Sequence, residues 1–372
     1  MKRKVLVITG TRAEYGLLRS TMDAIRASRK LELKILVTGM HTLRQYGFTK
    51  KEIENDGYQI DCVVFVKEGS SMLGALVQEL EGIAAYCVQS RPDCVLVLGD
   101  RDEPLAAAIV ATHLGIPLAH LHGGDATGAR IDEQNRAAIT AMAQLHFPAT
   151  DRSAARVRRL GADPECVFRV GTPALDGLKR RAKRKDLAKK LGLDEKRPWL
   201  TLLMHPNPLS RVKPERQIAP ALAALTRFSE CEKVIVYPNS DTGSEVFIRR
   251  IKKMRGEHCH IFKSVPRALY LDLVRESDAL VGNSSAGLIE TPSLGTSSVN
   301  IGERQAGRER GESVIDVPYD AGRIAAAIQK AVALKRSHRG PFSSPYGRPG
   351  AGKRIVRILE RELNNRRIDK RA

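Results

Sequence analysis

Cysteine is scarce and scattered: Cys62, Cys87, Cys94, Cys166, Cys231 and Cys259, with no CxxC pair among them. That pattern argues against a disulfide framework and against a thiolate metal cluster, and leaves buried thiols as the reading. Aromatic residues are only 5% of the chain, with Trp199 the single tryptophan. Stacking platforms for single-stranded nucleic acid are therefore in short supply. No apolar run reaches the length of a membrane span. The start, Met1-Lys2-Arg3-Lys4 and then Val5 to Ile8, lacks the apolar length and the small-residue cleavage site of a signal peptide. A cytoplasmic protein is expected. The GxGxxG spacing of a dinucleotide fingerprint is missing from the first strand-to-helix turn, Gly10-Thr11-Arg12-Ala13-Glu14-Tyr15-Gly16. A nicotinamide cofactor has little support there.

What the chain has in excess is positive charge, +20 over 372 residues. Two stretches carry much of it. Lys179 to Lys190 holds eight basic residues and one acid; Gly352 to Ala372 holds eight and three. Both read as helical, and neither interleaves aromatics with the charges. Solvated basic faces, able to attract polyanions nonspecifically, are the simpler account.

The length calls for two domains. Short β-branched runs alternate with longer amphipathic segments, the pattern of a parallel sheet with helices on both faces. Strands are expected at Val5–Thr9, Leu33–Thr38, Asp61–Val66, Cys94–Leu98, Pro117–Leu121 and Val167–Val170. Helices are expected at Ala13–Ser28, Leu73–Ser90 and Glu103–Leu114. The alternation restarts near residue 173, with strands at Trp199–Leu203, Lys233–Tyr237, His260–Phe262, Ala279–Val281 and Ser298–Ile301. The expected fold is α/β: two Rossmann-like domains, 1–172 and 173–340, facing a cleft. The Gly-, Pro- and Ser-rich segment His338 to Gly352 reads as a linker. It leads to a C-terminal helix, 353–372, assigned to the first domain. In such sheets ligands sit beyond the carboxyl ends of the strands.

The polar residues gather at those ends. Gly282-Asn283-Ser284-Ser285-Ala286-Gly287-Leu288-Ile289-Glu290 follows the apolar run Ala279 to Val281. Small residues at a strand-to-helix turn expose backbone N–H groups that can hold a diphosphate. Ser284 and Ser285 add hydroxyls, and Glu290 can accept from ribose hydroxyls. An ordinary capped helix start favours the same residues. Arg12 closes the first strand, where a guanidinium can pair with phosphate. Asp100-Arg101-Asp102-Glu103 closes the fourth, where a buried carboxylate can act as a general base and Asp100 or Asp102 can equally cap a helix. His120-Leu121-His122-Gly123-Gly124-Asp125 closes the fifth, where His122 and Asp125 can exchange protons; a metal site lacks a third ligand at the usual spacing. Asp132 and Arg136 are four apart on one helix, the spacing of a plain ion pair. His205-Pro206-Asn207, the turn from Tyr237 through Asn239 to Ser244, and Gly302-Glu303-Arg304-Gln305 close strands in the second half.

Taken in order, GTRAEYG, GDRDE, HLHGGD, IDEQNR, HP, YPNSDTGS, GNSSAGLIE and IGERQAGRERGE resemble the hydrolysing UDP-N-acetylglucosamine 2-epimerases, over roughly residues 4 to 335. These are the bacterial sialic-acid-pathway enzymes and the epimerase half of the bifunctional animal enzyme. The resemblance implies the GT-B fold, UDP held by His205, Asn239, Gly282, Ser284, Ser285, Glu290 and Arg304, and Arg12 on the diphosphate. It places the sugar against the catalytic set Asp100, Arg101, His122, Asp132 and Arg136. It implies elimination of UDP, hydration of a 2-acetamidoglucal, and N-acetylmannosamine and UDP as products, with no metal and no cofactor. The expected partners are a UDP-sugar substrate and further copies of the chain, without membrane or nucleic acid. Departures fall mainly on the sugar side. Many members carry Glu at His122, and His and Lys at Ala137 and Ala141. Asn207 also stands where Val or Glu is more familiar. A UDP-diacetamido-trideoxy sugar is the alternative substrate. A GT-B glycosyltransferase and a nucleic-acid-binding protein are the competing functions.

Overall fold

The computed structural model describes residues 1–44, 47–126, 130–179, 182–238, 242–254 and 256–364, the side chain of Arg130 excepted. Asn239 and the stretch 365–372 of the expected C-terminal helix lie outside them. The chain divides into two compact units. Met1–Gly177 joins with the segment from Tyr346 onward, and Leu178–Pro345 forms the other.

The first unit is built on a six-stranded sheet of β1 (Arg3–Thr9), β2 (Leu31–Val37), β3 (Cys62–Val63), β4 (Cys94–Leu98), β5 (Leu118–Leu121) and β6 (Leu145–Phe147). Every pairing is parallel, in the order β3-β2-β1-β4-β5-β6. Side chains alternate across a strand. In β1, Val5 and Val7 pack on one face with Leu18, Met22 and Ile25, whereas Leu6 and Ile8 pack on the other with Ile83 and Val110. A strand covered on both faces must be apolar throughout, which is why its sequence reads as a continuous run.

The second sheet repeats the plan. Its strands are β7 (Trp199–Leu203), β8 (Glu232–Val236), β9 (Cys259–Phe262), β10 (Ala279–Gly282), β11 (Ser298–Ile301) and β12 (Val314–Val317), in the order β12-β11-β10-β7-β8-β9. Renumbered from its own first strand, this is the same 3-2-1-4-5-6 order, the doubly wound Rossmann arrangement. Trp199 is fully buried in its core, its indole N–H donating to the Asp194 carbonyl at 2.8 Å.

Two strand expectations need correction, and two observed strands were not among those expected. Val167–Val170 is not a strand. It lies beside β6 with one bridge, His146 to Val167, and the ladder stops because Pro148 has no N–H to return. The Phe168 N–H still donates to the His146 carbonyl at 2.9 Å and the Val170 N–H to the Pro148 carbonyl at 3.3 Å. Asp61–Val66 pairs as a strand only over Cys62–Val63; the Asp61 carboxylate instead accepts the Ile35 N–H at 2.8 Å. The sixth strand of each sheet, β6 and β12, went unread. Each carries a polar residue inside a very short run, His146 and Asp316, which breaks the apolar signal.

The return of the chain to the first unit has a local cause. The Asp176 carboxylate accepts the N–H groups of Ala351 at 2.9 Å and Gly352 at 2.7 Å, and so caps helix Ala351–Glu362. Ile355, Val356 and Leu359 then join the core formed by helix Arg12–Arg26. A Cβ on Gly352 would come within 2.7 Å of the Ser20 carbonyl oxygen, so the two helices touch only because that position is glycine.

Candidate active site

In the first sheet the strand order reverses between β1 and β4, the place where a doubly wound sheet opens a crevice. Two buried carboxylic acids shape the turn there. Glu14 sits in the first turn of helix Arg12–Arg26, accepting the Gly10 N–H at 2.9 Å, while the Thr11 hydroxyl accepts the Glu14 N–H at 3.2 Å. Together they satisfy two donors at the helix start, as a capping box does. Glu103 fills the space beside Gly10 and Gly39; a Cβ on either would collide with it. Burial, and then the charge of Glu103, pushes the Glu14 carboxyl up to about 8. Glu79, buried and again near Glu103, is also raised to about 8. Arg101 donates to Glu103 at 3.2 Å. Arg12, the first residue of its helix, is exposed and pairs with Glu52 at 3.0 Å.

Beyond β4 and β5 the charged residues join into one group. Asp100 forms an ion pair with Arg136, whose side chain is almost fully buried. Arg136 also donates to the Asp125 carbonyl at 2.8 Å and pairs with Glu133 at 3.1 Å. Its partner on its own helix, Arg130–Met142, is thus Glu133 three residues back, and the plain Asp132–Arg136 pair read from the spacing is replaced by a link between two loops. Helix Asp102–His113 has Arg101 at its N-cap without a side-chain cap bond, so neither Asp100 nor Asp102 caps it. Asp102 accepts from Asn135 at 3.3 Å. Asp132 is half-buried. Desolvation raises its carboxyl, Arg101 opposes that, and Asp102 and Glu133 reinforce it.

His122 adopts a left-handed backbone, φ 63°, which turns the chain sharply out of β5. Its Nδ1 lies 2.9 Å from the Asp125 carboxylate and its Nε2 lies 3.0 Å from the Thr172 hydroxyl. A carboxylate can only accept, so Nδ1 carries the proton. Asp125 is steadied in turn by the Ser153 hydroxyl at 2.8 Å. His120 is buried, with Nε2 donating to the Gly99 carbonyl at 2.8 Å and Nδ1 beside the Thr140 hydroxyl at 3.2 Å. Burial lowers it to about 4, so it is a neutral brace for the turn after β4. Asp100, Arg101, His122, Asp132 and Arg136 are therefore brought together in this unit.

The second unit has its own reversal between β7 and β10, and here the brace is neutral. Asn283 is fully buried. Its side-chain oxygen accepts the His205 N–H at 2.7 Å and its amide donates to the His205 carbonyl at 2.8 Å. Gln305 donates to the Asn283 backbone carbonyl at 2.9 Å, and Arg304 reaches the same oxygen at 3.4 Å. Gly282 has φ 136°, and a Cβ there would collide with the Leu203 carbonyl oxygen, so only glycine fits. His205, Gly282, Ser284, Ser285 and Arg304 thus meet around one asparagine. The helix after the turn is short and interrupted, Ala286–Ile289 and then Thr291–Leu294, with Pro292 at the start of the second piece. The donors available at this turn are local N–H groups and hydroxyls more than a long helix dipole. Glu290, buried, forms an ion pair with Arg267. Asn207 exchanges backbone bonds with the buried Gln217, at 2.9 and 3.1 Å, and belongs to the loop's frame.

Several of these residues escaped the sequence reading as site members. Asn283 lies inside a strand-end motif and could have been found from its place in a tight turn. Arg267, Thr172 and Glu133 carry no comparable signal. Among the described residues no group of three or more His, Cys, Asp or Glu is placed to hold a metal ion, and no helix is long and apolar enough to cross a membrane.

The family described as UDP-N-acetylglucosamine 2-epimerase matches residues 23–360. The chain is 36% identical to UDP-N,N'-diacetylbacillosamine 2-epimerase (hydrolyzing) of Legionella pneumophila, over 97% of this chain and 96% of that protein. It is 34% identical to polysialic acid biosynthesis protein P7 of Escherichia coli, over 99% of this chain and 96% of that protein. Among solved structures, UDP-GlcNAc 2-epimerase from Neisseria meningitidis bound to UDP-GlcNAc superposes with a TM-score of 0.82, covering 97% of this chain and 100% of that one. At 19% identity in that superposition the likeness speaks for the fold.

Proposed function

The chain belongs to the UDP-N-acetylglucosamine 2-epimerase family, and from that premise we propose that it is a hydrolysing 2-epimerase of a UDP-linked 2-acetamido sugar. UDP-N-acetylglucosamine is the first substrate to test, with N-acetylmannosamine and UDP as products. The observation that carries the reading is the Asp100–Arg136 ion pair, set in one group with Asp132 and Arg101 beyond β4 and β5.

The chemistry explains why such a group is needed. The hydrogen on C2 is not acidic in the substrate, because no carbonyl adjoins C2. Cleavage of the C1–O bond sends the electron pair out with UDP and leaves C1 oxocarbenium-like. The C2 hydrogen is then acidic, and a carboxylate removes it to give the 2-acetamidoglucal. Water next adds its oxygen to C1, and a proton is delivered to C2 on the opposite face. One water is consumed per turnover. Asp100, with its charge matched by Arg136, and Asp132, raised by burial, are the proton-handling pair we assign. His122 has both ring nitrogens engaged, so its role is to hold Asp125 and with it the Arg136 contact. In the second unit we assign Ser284, Ser285 and Arg304 to phosphate, and Glu290, shared with Arg267, to the ribose. His205 and Gly282 shape that turn, and Arg12 is a further phosphate partner.

The test is incubation with UDP-N-acetylglucosamine in deuterated water, followed by product analysis. Free UDP together with deuterium at C2 of the released sugar supports the proposal. Release of UDP only after an acceptor is added points to a glycosyltransferase instead. A second substrate reading is favoured by the 36% identity to the Legionella protein: a UDP-diacetamido-trideoxy sugar. The same assay with that donor ranks the two by kcat/KM.

We also propose a homo-oligomer. On helix Met72–Ser90, Leu73, Val77 and Val88 share one face and are 71%, 55% and 59% exposed. Apolar residues in such a row mark an association surface. Light scattering should return more than one chain's mass, and Val77→Glu should lower it.

A further inference from the structure

A groove of about 250 Å³ runs along the first unit between helices Arg130–Met142 and Asp151–Arg159. Glu133, Arg136, Ala137 and Thr140 form one wall, at the spacing of a single helical stripe. Arg156 and Arg159 stand opposite. The space exists because Ala137 and Thr140 are small. Arg156 donates to the Gly124 carbonyl at 3.0 Å. Among the described residues neither Arg156 nor Arg159 has a carboxylate within ion-pair distance. The two carboxylates that also line the hollow are engaged elsewhere, Asp125 by His122 and Ser153 and Glu133 by Arg136, so Arg156 and Arg159 form a receptor for an anion with a carbon skeleton. The volume falls below the roughly 300–1,000 Å³ of sites for drug-sized ligands and suits a single sugar ring or a similar acid.

We infer that this groove binds a monosaccharide-sized organic anion, and that its occupancy is felt at Asp100 through Arg136. The link is direct, because Arg136 lines the groove and also holds Asp100 and the Asp125 carbonyl. An anion drawn to Arg136 competes with Asp100 for the same guanidinium. Filling the groove should therefore slow turnover. The binding half of this inference is independent of the proposed reaction; the turnover half rests on it.

The test uses the full chain with glucuronate as the organic probe and inorganic phosphate as the bare oxyanion, at constant ionic strength. Calorimetry should show saturable glucuronate binding. Arg159→Glu and Ala137→Leu should each weaken it by about tenfold or more, the first by removing a charge-assisted partner and the second by filling the space. Ala137→Leu leaves the net charge at +20, so its effect separates the groove from general attraction of anions to a basic protein. Glucuronate should also depress turnover of the unaltered chain and leave turnover of Arg159→Glu unchanged. Equal binding by all three proteins overturns the inference, as does binding of phosphate alone. Saturable glucuronate binding without any change in turnover overturns the link through Arg136 and leaves the binding site standing. If no nucleotide sugar is turned over at all, the calorimetry still decides the binding half.

Discussion

The two units share one strand order and furnish it in opposite ways. Beyond β4 and β5 the first unit sets charge against charge, with Arg136 between Asp100 and Glu133 and Arg101 against Glu103. Beyond β7 and β10 the second unit relies on a neutral amide, Asn283, bonded to the backbone of His205 on both sides. A doubly wound sheet offers a crevice at its reversal point and does not specify what lines it. Buried charge is costly unless paired, and repays that cost where protons or developing charge must be handled. A neutral brace holds a loop in shape so that N–H groups and hydroxyls can meet a ligand. The contrast is what supports the proposal that bond-breaking belongs to the first unit and nucleotide holding to the second.

The sharpest way to break this comparison is to remove the cation at the centre of the charged unit. Arg136→Met should cost about 3 kcal/mol or more of stability, because Asp100 would be left largely buried without its partner. It should also abolish turnover. Urea unfolding and UDP release read the two effects separately. If the folded variant keeps the parent's kcat, the group is architectural and the assignment of chemistry to the first unit fails. Asp132→Asn is milder for the fold, since Asp132 is only half-buried. Turnover should drop by roughly a hundredfold, in the range typical of a lost acid or base. The KM for the donor should stay close to the parent's.

The matching experiment on the neutral unit is Asn283→Ala. Both bonds to the backbone of the half-buried His205 are lost. A loss of about 2 kcal/mol is expected. UDP affinity should fall with it, whereas kcat at saturating donor should change little. A fall in kcat with unchanged UDP affinity would reverse the roles given to the two units.

These contrasts were only partly visible in the sequence. The apolar runs of β1, β4, β7 and β10 are buried in the sheets, so hydrophobicity alone marked them. β6 and β12 were missed because His146 and Asp316 interrupt runs of three and four residues. Asp100 and His122 were legible as polar residues at strand ends, and Arg136 as a charged residue on a helix beside Asp132. Their connections were not. The ion pair of Asp100 with Arg136 joins residues 36 apart in the chain, and sequence spacing pointed to Asp132 as the partner. Asp176, which caps the C-terminal helix from 175 residues away, gave no signal either. Long-range side-chain to backbone bonds have no periodicity to read.

A smaller effect concerns pH. Burial, then Glu103, raises Glu14 from 4.5 to about 8. Between those values the folded chain holds a proton that the unfolded chain has released, so stability falls as pH rises from about 4.5 to about 8 and levels off above that. Glu14→Gln can still accept the Gly10 N–H, and it should flatten the slope of unfolding free energy against pH by about one proton over this window. Glu79, raised for the same first reason, will keep part of the slope. An unchanged slope would mean that Glu14 is charged in the fold, and that the first unit tolerates buried charge beyond Arg136 and its partners.

The smallest expected effect tests the edge of the charged region. Arg12 and Glu52 lie 3.0 Å apart, but their side chains are 67% and 41% exposed. Water screens such a pair, and holding two long side chains together offsets much of the attraction. Glu52→Gln should therefore shift stability by less than about 0.5 kcal/mol. Arg12→Ala should be equally mild for the fold yet raise the KM for the donor, because its proposed partner is a phosphate rather than Glu52. The two substitutions remove opposite ends of one ion pair. Equal effects on KM would tie Arg12 to Glu52 alone and take it out of the set of phosphate partners; a large effect from Arg12→Ala beside none from Glu52→Gln would keep it there.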